Sequence, residues 1–157
     1  MTKEEGKKYL ERLNLIFYSI IALPLCAFAW FYLENHAGRH EVQVNEQLRQ
    51  SLQYVFPFLI LVISGFGILI PGNQIKKINN SGNLKDRLGE FQRILLLRYA
   101  LFEIACILSV FAYYLTVEKF YAVFFVGTIV LFSLNRPTPF RIISNLRIKG
   151  EDKEIFQ

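Results

Sequence analysis

The chain has 157 residues, enough for one ordinary domain, and 53% of them are hydrophobic, which exceeds the usual fraction in soluble proteins. Its formal charge of +5 could suit a nucleic-acid ligand, but the basic residues cluster beside long apolar runs and not along one polar surface. Composition and charge therefore favour a membrane protein without a nucleic-acid partner.

Four apolar stretches have the length, or nearly the length, needed to cross a bilayer. A helix rises about 1.5 Å per residue, so a hydrocarbon core about 30 Å thick takes roughly 20 apolar residues. The predicted spans cover approximately residues 13–33, 52–71, 94–115 and 117–135. The last has the shortest apolar run, and snorkelling of Lys119 and Arg136 would compensate. We therefore expect an all-α, integral membrane four-helix bundle that forms a single domain over residues 1–157.

The distribution of lysine and arginine predicts the orientation of these spans. Of the 18 basic residues, 15 lie in the amino-terminal segment, in the second loop with the start of the third span, or in the carboxy-terminal tail. Only Arg39, Arg49 and Lys119 lie on the other side. Because short loops rich in these residues stay in the cytoplasm, both termini are predicted to be cytoplasmic.

A cleaved signal peptide is the alternative interpretation of the first span. The segment has a basic start, an apolar run and the small-residue pattern Ala27-Phe28-Ala29, which resembles a cleavage site. The apolar run continues to Leu33, however, where a mature polar domain would be expected to begin. This continuation favours a retained anchor.

Capping residues and helix breakers predict where the helices begin and end outside the membrane. Thr2 can cap a first helix, with Glu5 returning the bond, and a second helix is expected from about Glu46. Pro71-Gly72-Asn73 predicts the end of the second helix. Asn83 can cap a third helix that runs directly into the third span.

Residues 136–157 predict a cytoplasmic amphipathic tail. Thr138 can cap a short helix from Pro139 to about Arg147, whose apolar face would contain Phe140, Ile143 and Leu146. A short basic helix of this kind lies at the headgroup level of anionic lipids, and a protein-docking helix is the alternative. The residues predicted to contact lipid headgroups are Arg98, which would snorkel to them, and Arg136, Arg141 and Arg147.

Glu103 lies well inside the third predicted span, where a carboxylate is costly and usually faces a partner or a cavity. Helical periodicity places it on one stripe with Tyr99 and Cys106, which would turn it towards the bundle interior. Ser64 and Thr128 lie at about the same depth on the second and fourth spans. This polar cluster could be a structural tie between helices, or Glu103 could carry protons or cations.

Motifs for catalysis, metal binding or cofactor binding are missing from the sequence. His36 and His40 could ligate a metal if their loop were helical, but solvated loop histidines are the favoured interpretation. Cys26 and Cys106 lie inside apolar runs and suit packing better than a disulfide or metal site. We therefore predict no catalytic residue, no metal, no cofactor and no enzymatic activity.

The roughly 50 residues of the second half that carry a family resemblance contain three short motifs: Arg98-Tyr99-Ala100-Leu101-Phe102-Glu103, Leu115-Thr116 at the next turn, and Arg136-Pro137-Thr138 after the fourth span. In these motifs the chain resembles small, uncharacterised four-span proteins of the bacterial inner membrane. The resemblance implies a location in the bacterial inner membrane and does not imply any activity. We expect a structural, accessory or assembly component whose partners are the bilayer, its anionic headgroups, and a membrane protein or a second copy. The alternative is a small proton- or ion-coupled transporter or channel that uses Glu103.

Overall fold

The structure, a computed structural model, describes residues 2–38, 45–78, 83–148 and 150–156. The described residues form five α-helices and one 3-10 helix, so the predicted all-α fold is confirmed. The helices are α1 (Lys3–His36), α2 (Glu46–Lys77), α3 (Leu84–Thr116), α4 (Lys119–Leu134) and α5 (Pro139–Asn145), and the 3-10 helix covers Gly150–Phe156.

Helices α1, α2 and α3 are each long and apolar enough to cross a membrane. Their outer surfaces carry large apolar side chains, such as Trp30, Tyr54 and Phe58, which are 69%, 80% and 66% exposed. Continuous apolar exposure of this kind is unfavourable in water and typical of contact with lipid. The predicted fourth span corresponds to α4, which has 16 residues and reaches spanning length only together with α5, at a bend of 72°. The chain therefore has the features of a multi-pass membrane protein.

Local capping explains why the helices begin where they do. Thr2 and Glu5 form the predicted capping box: the Thr2 N–H donates to Glu5 at 2.8 Å and the Glu5 N–H donates to Thr2 Oγ1 at 3.2 Å. Asn83 caps α3, and Thr138 caps α5, as predicted. The second helix begins at Glu46, also as predicted. These signals depend on residues within one helical turn, so the sequence alone contains them.

The predicted end of the second helix at Pro71-Gly72-Asn73 is wrong. Helix α2 continues through Pro71 to Lys77, and Pro71 is buried inside it. Proline removes one backbone hydrogen bond, here the one to the Gly67 carbonyl, but a helix can continue when packing compensates for the loss. The compensation here is the burial of Ile75 in the core formed with α3.

Helix α3 is the centre of the bundle and packs against α1, α2 and α4. Tyr99 and Phe102 on α3 are fully buried and make ring contacts with Phe132 of α4 at 5.5 and 5.7 Å. Gly67 of α2 lets the two helices approach closely, because a Cβ there would lie 3.3 Å from the Phe102 ring. The aromatic core therefore fixes three of the helices against each other.

The start of α1 and the carboxy-terminal 3-10 helix lie at one end of the bundle, which we call the terminal end. The Tyr9 hydroxyl donates to the Leu88 carbonyl at 2.8 Å, and burial raises the pKa of the Tyr9 phenol. Gly6 lies directly against Ile155 of the 3-10 helix. The starts of α1 and α3 and the carboxy-terminal helix are thus packed into one layer.

Helix α5 packs against this layer with a face that differs from the predicted one. Ile142 and Leu146, one turn apart, are both 0% exposed, whereas Phe140 is 79% exposed. Arg87 donates from Nη2 to the Leu146 carbonyl and holds the end of α5 on α3. Of the predicted face, Leu146 is buried and Ile143 packs partly buried against the core, whereas Phe140 is exposed and Ile142 is buried in its place.

The opposite end of the bundle is tied by polar contacts between its turns. Arg49 of α2 forms an ion pair with Glu118 in the turn between α3 and α4, and this hydrogen bond raises the pKa of Arg49. The Tyr121 hydroxyl donates to the Leu52 carbonyl at 3.0 Å. These contacts hold the start of α2 beside the start of α4.

Candidate functional site

A cavity of about 450 Å³ opens at the terminal end, beside the last turns of α2. From α2 and the residue after it, the lining includes Gly72, Ile75, Lys76 and Ile78. Helix α3 contributes Arg98, and α5 with its carboxy-terminal turn contributes Arg141, Ser144, Asn145 and Arg147. The site is therefore assembled from three helices that are distant in sequence, and we call it the basic cavity.

Four cations and no carboxylate line the basic cavity among the described residues. The cations are Lys76, Arg98, Arg141 and Arg147, and none of them forms an ion pair with a carboxylate in the part of the chain that the structure describes. Clustered like charges repel each other, and a bound anion would relieve that repulsion. The electrostatics of the cavity thus favour an anionic ligand.

Arg98 forms the buried wall of the basic cavity. Its side chain is only 9% exposed, and Nη1 donates to Asn135 Oδ1 at 3.1 Å. Asn135 is itself oriented, because its Nδ2 donates to the Leu131 carbonyl at 2.8 Å. The Arg98 Nε atom is buried and has no hydrogen-bond partner among the described residues. A neutral amide therefore fixes the Arg98 guanidinium, and one of its buried donors has no partner in the described part of the chain. The predicted contact of Arg98 with headgroups stays a prediction.

Arg147 borders the cavity in a backbone conformation that glycine normally adopts. Its φ is 49°, in the left-handed region, at the position that follows the carboxy-terminal cap of α5. The Arg147 N–H donates to the Ser144 carbonyl at 3.3 Å and the Ile148 N–H donates to the Ile143 carbonyl at 3.0 Å, which is the Schellman pattern. A non-glycine residue there costs about 1–2 kcal/mol. Strained backbone of this kind occurs preferentially at functional sites.

Three of the four predicted headgroup arginines come together in the basic cavity, and the fourth does not. The Arg136 guanidinium instead lies 5.3 Å from the centre of the Tyr18 ring, and its Nε donates to Asn14 Oδ1 at 3.5 Å. The sequence analysis missed Lys76 as a member of the site. Lys76 was missed because α2 was expected to end at Pro71, whereas it continues to Lys77 and places Lys76 in the cavity with residues of α5.

The predicted polar cluster around Glu103 is only partly assembled. Ser64 and Thr128 both line a mostly apolar groove of about 410 Å³ between α2 and α4, which we call the α2–α4 groove. The Thr128 hydroxyl donates to the Phe124 carbonyl at 2.9 Å, whereas Ser64 Oγ is buried without a partner in the described segments. Glu103 is half-buried and does not line this groove.

Tyr99, the remaining predicted member of this cluster, is buried and bonds elsewhere. Its hydroxyl donates to the Asn135 carbonyl at 3.3 Å, so Tyr99 supports the same turn that holds Arg98. Among the described residues, Glu103 therefore forms no hydrogen bond with either of the two hydroxyl groups with which it was expected to pair.

Within the described ranges, no group of three or more histidine, cysteine or acidic residues could hold a metal ion. The His36 Nδ1 atom lies 2.9 Å from the Tyr32 carbonyl, and His40 lies outside the described residues. Comparisons with protein-family models, curated proteins and solved structures find no match. The basic cavity contains three of the predicted headgroup arginines, and the α2–α4 groove contains Ser64 and Thr128.

Proposed function

We propose that the chain is a four-span protein of a bacterial inner membrane, with both termini in the cytoplasm, and that it acts as a structural, accessory or assembly component without catalytic activity. The observation that carries this proposal is the packed layer at the terminal end, where Gly6, Tyr9 and Ile155 join the two termini to α3. Such a layer gives a small bundle one folded polar surface on one side of the bilayer, suited to contact with lipid headgroups and a membrane-protein partner.

The contacts of α4 support its role as a fourth span. The turn after Thr116 starts α4 at the far end, and Asn135, which follows α4, bonds to Arg98 and Tyr99 on α3. From Arg98 to Thr116 a helix rises about 27 Å, close to the thickness of a hydrocarbon core. Helix α4 therefore extends alongside the part of α3 that would cross the bilayer, despite its 16 residues.

The orientation can be tested with single cysteines at the two ends, in a background in which Cys26 and Cys106 are replaced by alanine. A membrane-impermeant maleimide added to intact spheroplasts is expected to label Gln50→Cys and to label Lys153→Cys only after permeabilisation. Both chosen side chains are exposed. Labelling of Lys153→Cys in intact spheroplasts would contradict the proposed orientation.

The accessory role can be tested by extraction in a mild detergent and identification of co-purifying membrane proteins. A specific, stoichiometric partner, or a defined oligomer of this chain, is the expected result. The test variant is Gly6→Ala, which disturbs the packed layer at the terminal end. This variant should lose the partner while it remains in the membrane. Recovery of an unpartnered monomer at native expression levels would argue against the proposal.

A transporter or channel that uses Glu103 is the alternative function, and it has less support because Glu103 does not line the groove that contains Ser64 and Thr128. Flux of protons or ions in proteoliposomes that is present in the parent and lost in Glu103→Gln would favour this alternative. Equal passive leak in the parent and the variant would leave the accessory role as the better account.

A further inference from the structure

We propose that the basic cavity and the α2–α4 groove form one binding site for an anionic phospholipid of the cytoplasmic leaflet. The phosphate of the lipid would lie among Lys76, Arg98, Arg141 and Arg147, and one acyl chain would lie in the groove. The inference rests on the proposed function in one respect, that the terminal end faces the cytoplasm.

The cavity and the groove lie along the same side of α2. Ser64, Gly72 and Lys76 follow Leu61 by 3, 11 and 15 residues, close to one, three and four turns of an α-helix. Leu61 and Ser64 line the groove, whereas Gly72 and Lys76 line the cavity. At about 1.5 Å per residue, Ser64 and Gly72 are roughly 12 Å apart along the helix axis, a separation that one leaflet contains.

Helix α4 connects the two features independently. Leu131 lines the groove, and one turn further on Asn135 holds Arg98 in the wall of the cavity. The Asn135 amide also donates to the Leu131 carbonyl, so the end of the groove and the wall of the cavity share a hydrogen bond. Two separate helices therefore align the apolar groove with the charged cavity.

Each of the two features has open space beside a glycine. A Cβ built on Gly72, in the cavity, or on Gly127, in the groove, would meet no atom within 4 Å beyond its own helix. Volumes of about 450 and 410 Å³ are within the usual range of small-molecule sites. The lining changes from cationic at the terminal end to apolar towards the bilayer centre, which is the order of chemistry along a phospholipid.

The cavity contains donors that a phosphate would satisfy. Arg98 is nine-tenths buried, and its Nε atom has no partner in the described part of the chain, so a phosphate oxygen could accept from it. Arg98 and Arg141 also repel each other, and the phosphate charge would reduce that repulsion. Basic pockets between helices on the cytoplasmic side are a known recognition mode for anionic headgroups. A zwitterionic lipid would bring an ammonium group into the same cluster of cations and should bind more weakly.

Binding can be measured by titration of the detergent-solubilised protein with long-chain phosphatidylglycerol or phosphatidylcholine, followed by native mass spectrometry. The parent is expected to bind phosphatidylglycerol about 10-fold more tightly than phosphatidylcholine. Arg141→Gln should reduce the affinity for phosphatidylglycerol about 5-fold, because a nearby cation contributes on that order. The matched control is Arg136→Gln, which removes the same charge near the same end but outside the cavity. Equal affinity for both lipids, or an equal loss in both variants, would overturn the proposal.

The groove is tested by Gly127→Leu, which places a large side chain in it at a position where the Cβ meets no atom within 4 Å. This variant should lose affinity for long-chain phosphatidylglycerol about 10-fold and bind glycerol 3-phosphate as weakly as the parent. Gly65→Leu is the control, since a Cβ at Gly65 also meets open space but Gly65 does not line the groove. If glycerol 3-phosphate binds as tightly as the lipid, or if Gly127→Leu has no effect, the site binds a free anion and the lipid proposal is wrong. These titrations in detergent do not depend on orientation, so their failure is distinguishable from failure of the cysteine-labelling test.

Discussion

Replacement of Arg147 by glycine should make the protein more stable and a weaker binder of anionic lipid at the same time. Arg147 has a φ of 49°, and relief of the left-handed strain is worth about 1–2 kcal/mol. The greater freedom of glycine in the unfolded chain offsets about 0.5–1 kcal/mol of this gain. The expected net effect is a stabilisation of about 0.5–1 kcal/mol, or a rise in Tm of roughly 1–4 °C for a chain of this size.

The same substitution removes one of the four cations of the basic cavity. Its loss should weaken phosphatidylglycerol binding about 5-fold, as estimated for one basic residue near an anionic headgroup. Thermal unfolding of the lipid-free protein in detergent gives the Tm, and a titration of the same sample with phosphatidylglycerol gives the lipid affinity.

Arg147→Gln is the matched control for this experiment. It removes the charge but keeps the Cβ and its strain, so the lipid affinity should fall while the Tm of the lipid-free protein stays within about 1 °C of the parent. A lower Tm in Arg147→Gly would refute the strain argument. Unchanged lipid affinity in both variants would refute the role of Arg147 in the cavity.

Two further predictions concern the packed layer at the terminal end. Gly6→Ala should destabilise the protein by about 1–3 kcal/mol and expose the carboxy-terminal helix to protease, because its Cβ would lie 2.6 Å from the Ile155 carbonyl oxygen, whereas Gly89→Ala, which meets open space, should be tolerated. The pKa of Glu5 is lowered by a backbone hydrogen bond at the start of α1 and then by Lys85, so its contribution to stability is present above pH 4.5 and is lost as the pH falls through the folded-state pKa. Glu5→Gln should therefore show a smaller loss of Tm between pH 6 and pH 3 than the parent, and an equal loss would contradict the assignment.

The parts of the fold that the sequence predicted are those that depend on neighbouring residues. Thr2, Asn83 and Thr138 cap helices because their side chains reach backbone N–H groups two or three residues ahead. The apolar lengths of α1, α2 and α3 are likewise local quantities. Propensity and composition suffice for such features because no distant part of the chain has to be known.

The errors arose where a distant contact outweighed a local signal. Pro71 ends many helices, but here the packing of α2 against α3 continues the helix to Lys77. The predicted apolar face of α5 contained Phe140, but packing buries Ile142 beside Leu146 and leaves Phe140 exposed. Both outcomes required knowledge of which residue lies opposite, and a single sequence does not contain that pairing.

Most residues of the candidate site could be predicted from the sequence, but the location of the site in the bundle could not. The sequence suggested that Arg98, Arg141 and Arg147 contact anionic headgroups, and the structure brings them into one cavity. The sequence did not predict that Lys76 joins these arginines, because that depends on how α2 packs beside α5. It also did not predict the groove that Ser64 and Thr128 line, because the groove depends on how α2 packs beside α4. Helical periodicity shows which residues of one helix share a face, but it does not identify the helix that packs against that face.

Photo-crosslinking with a phosphatidylglycerol that carries a reactive group in the middle of one acyl chain is the most direct test of the lipid site. The crosslinked peptides are expected to contain groove residues of α2 and α4, chiefly Leu61, Val123 and Thr128, and their yield should fall in Arg141→Gln but not in Arg136→Gln. Crosslinks spread evenly over the exposed face of α1, with the same yield in both variants, would contradict a specific anionic-lipid site.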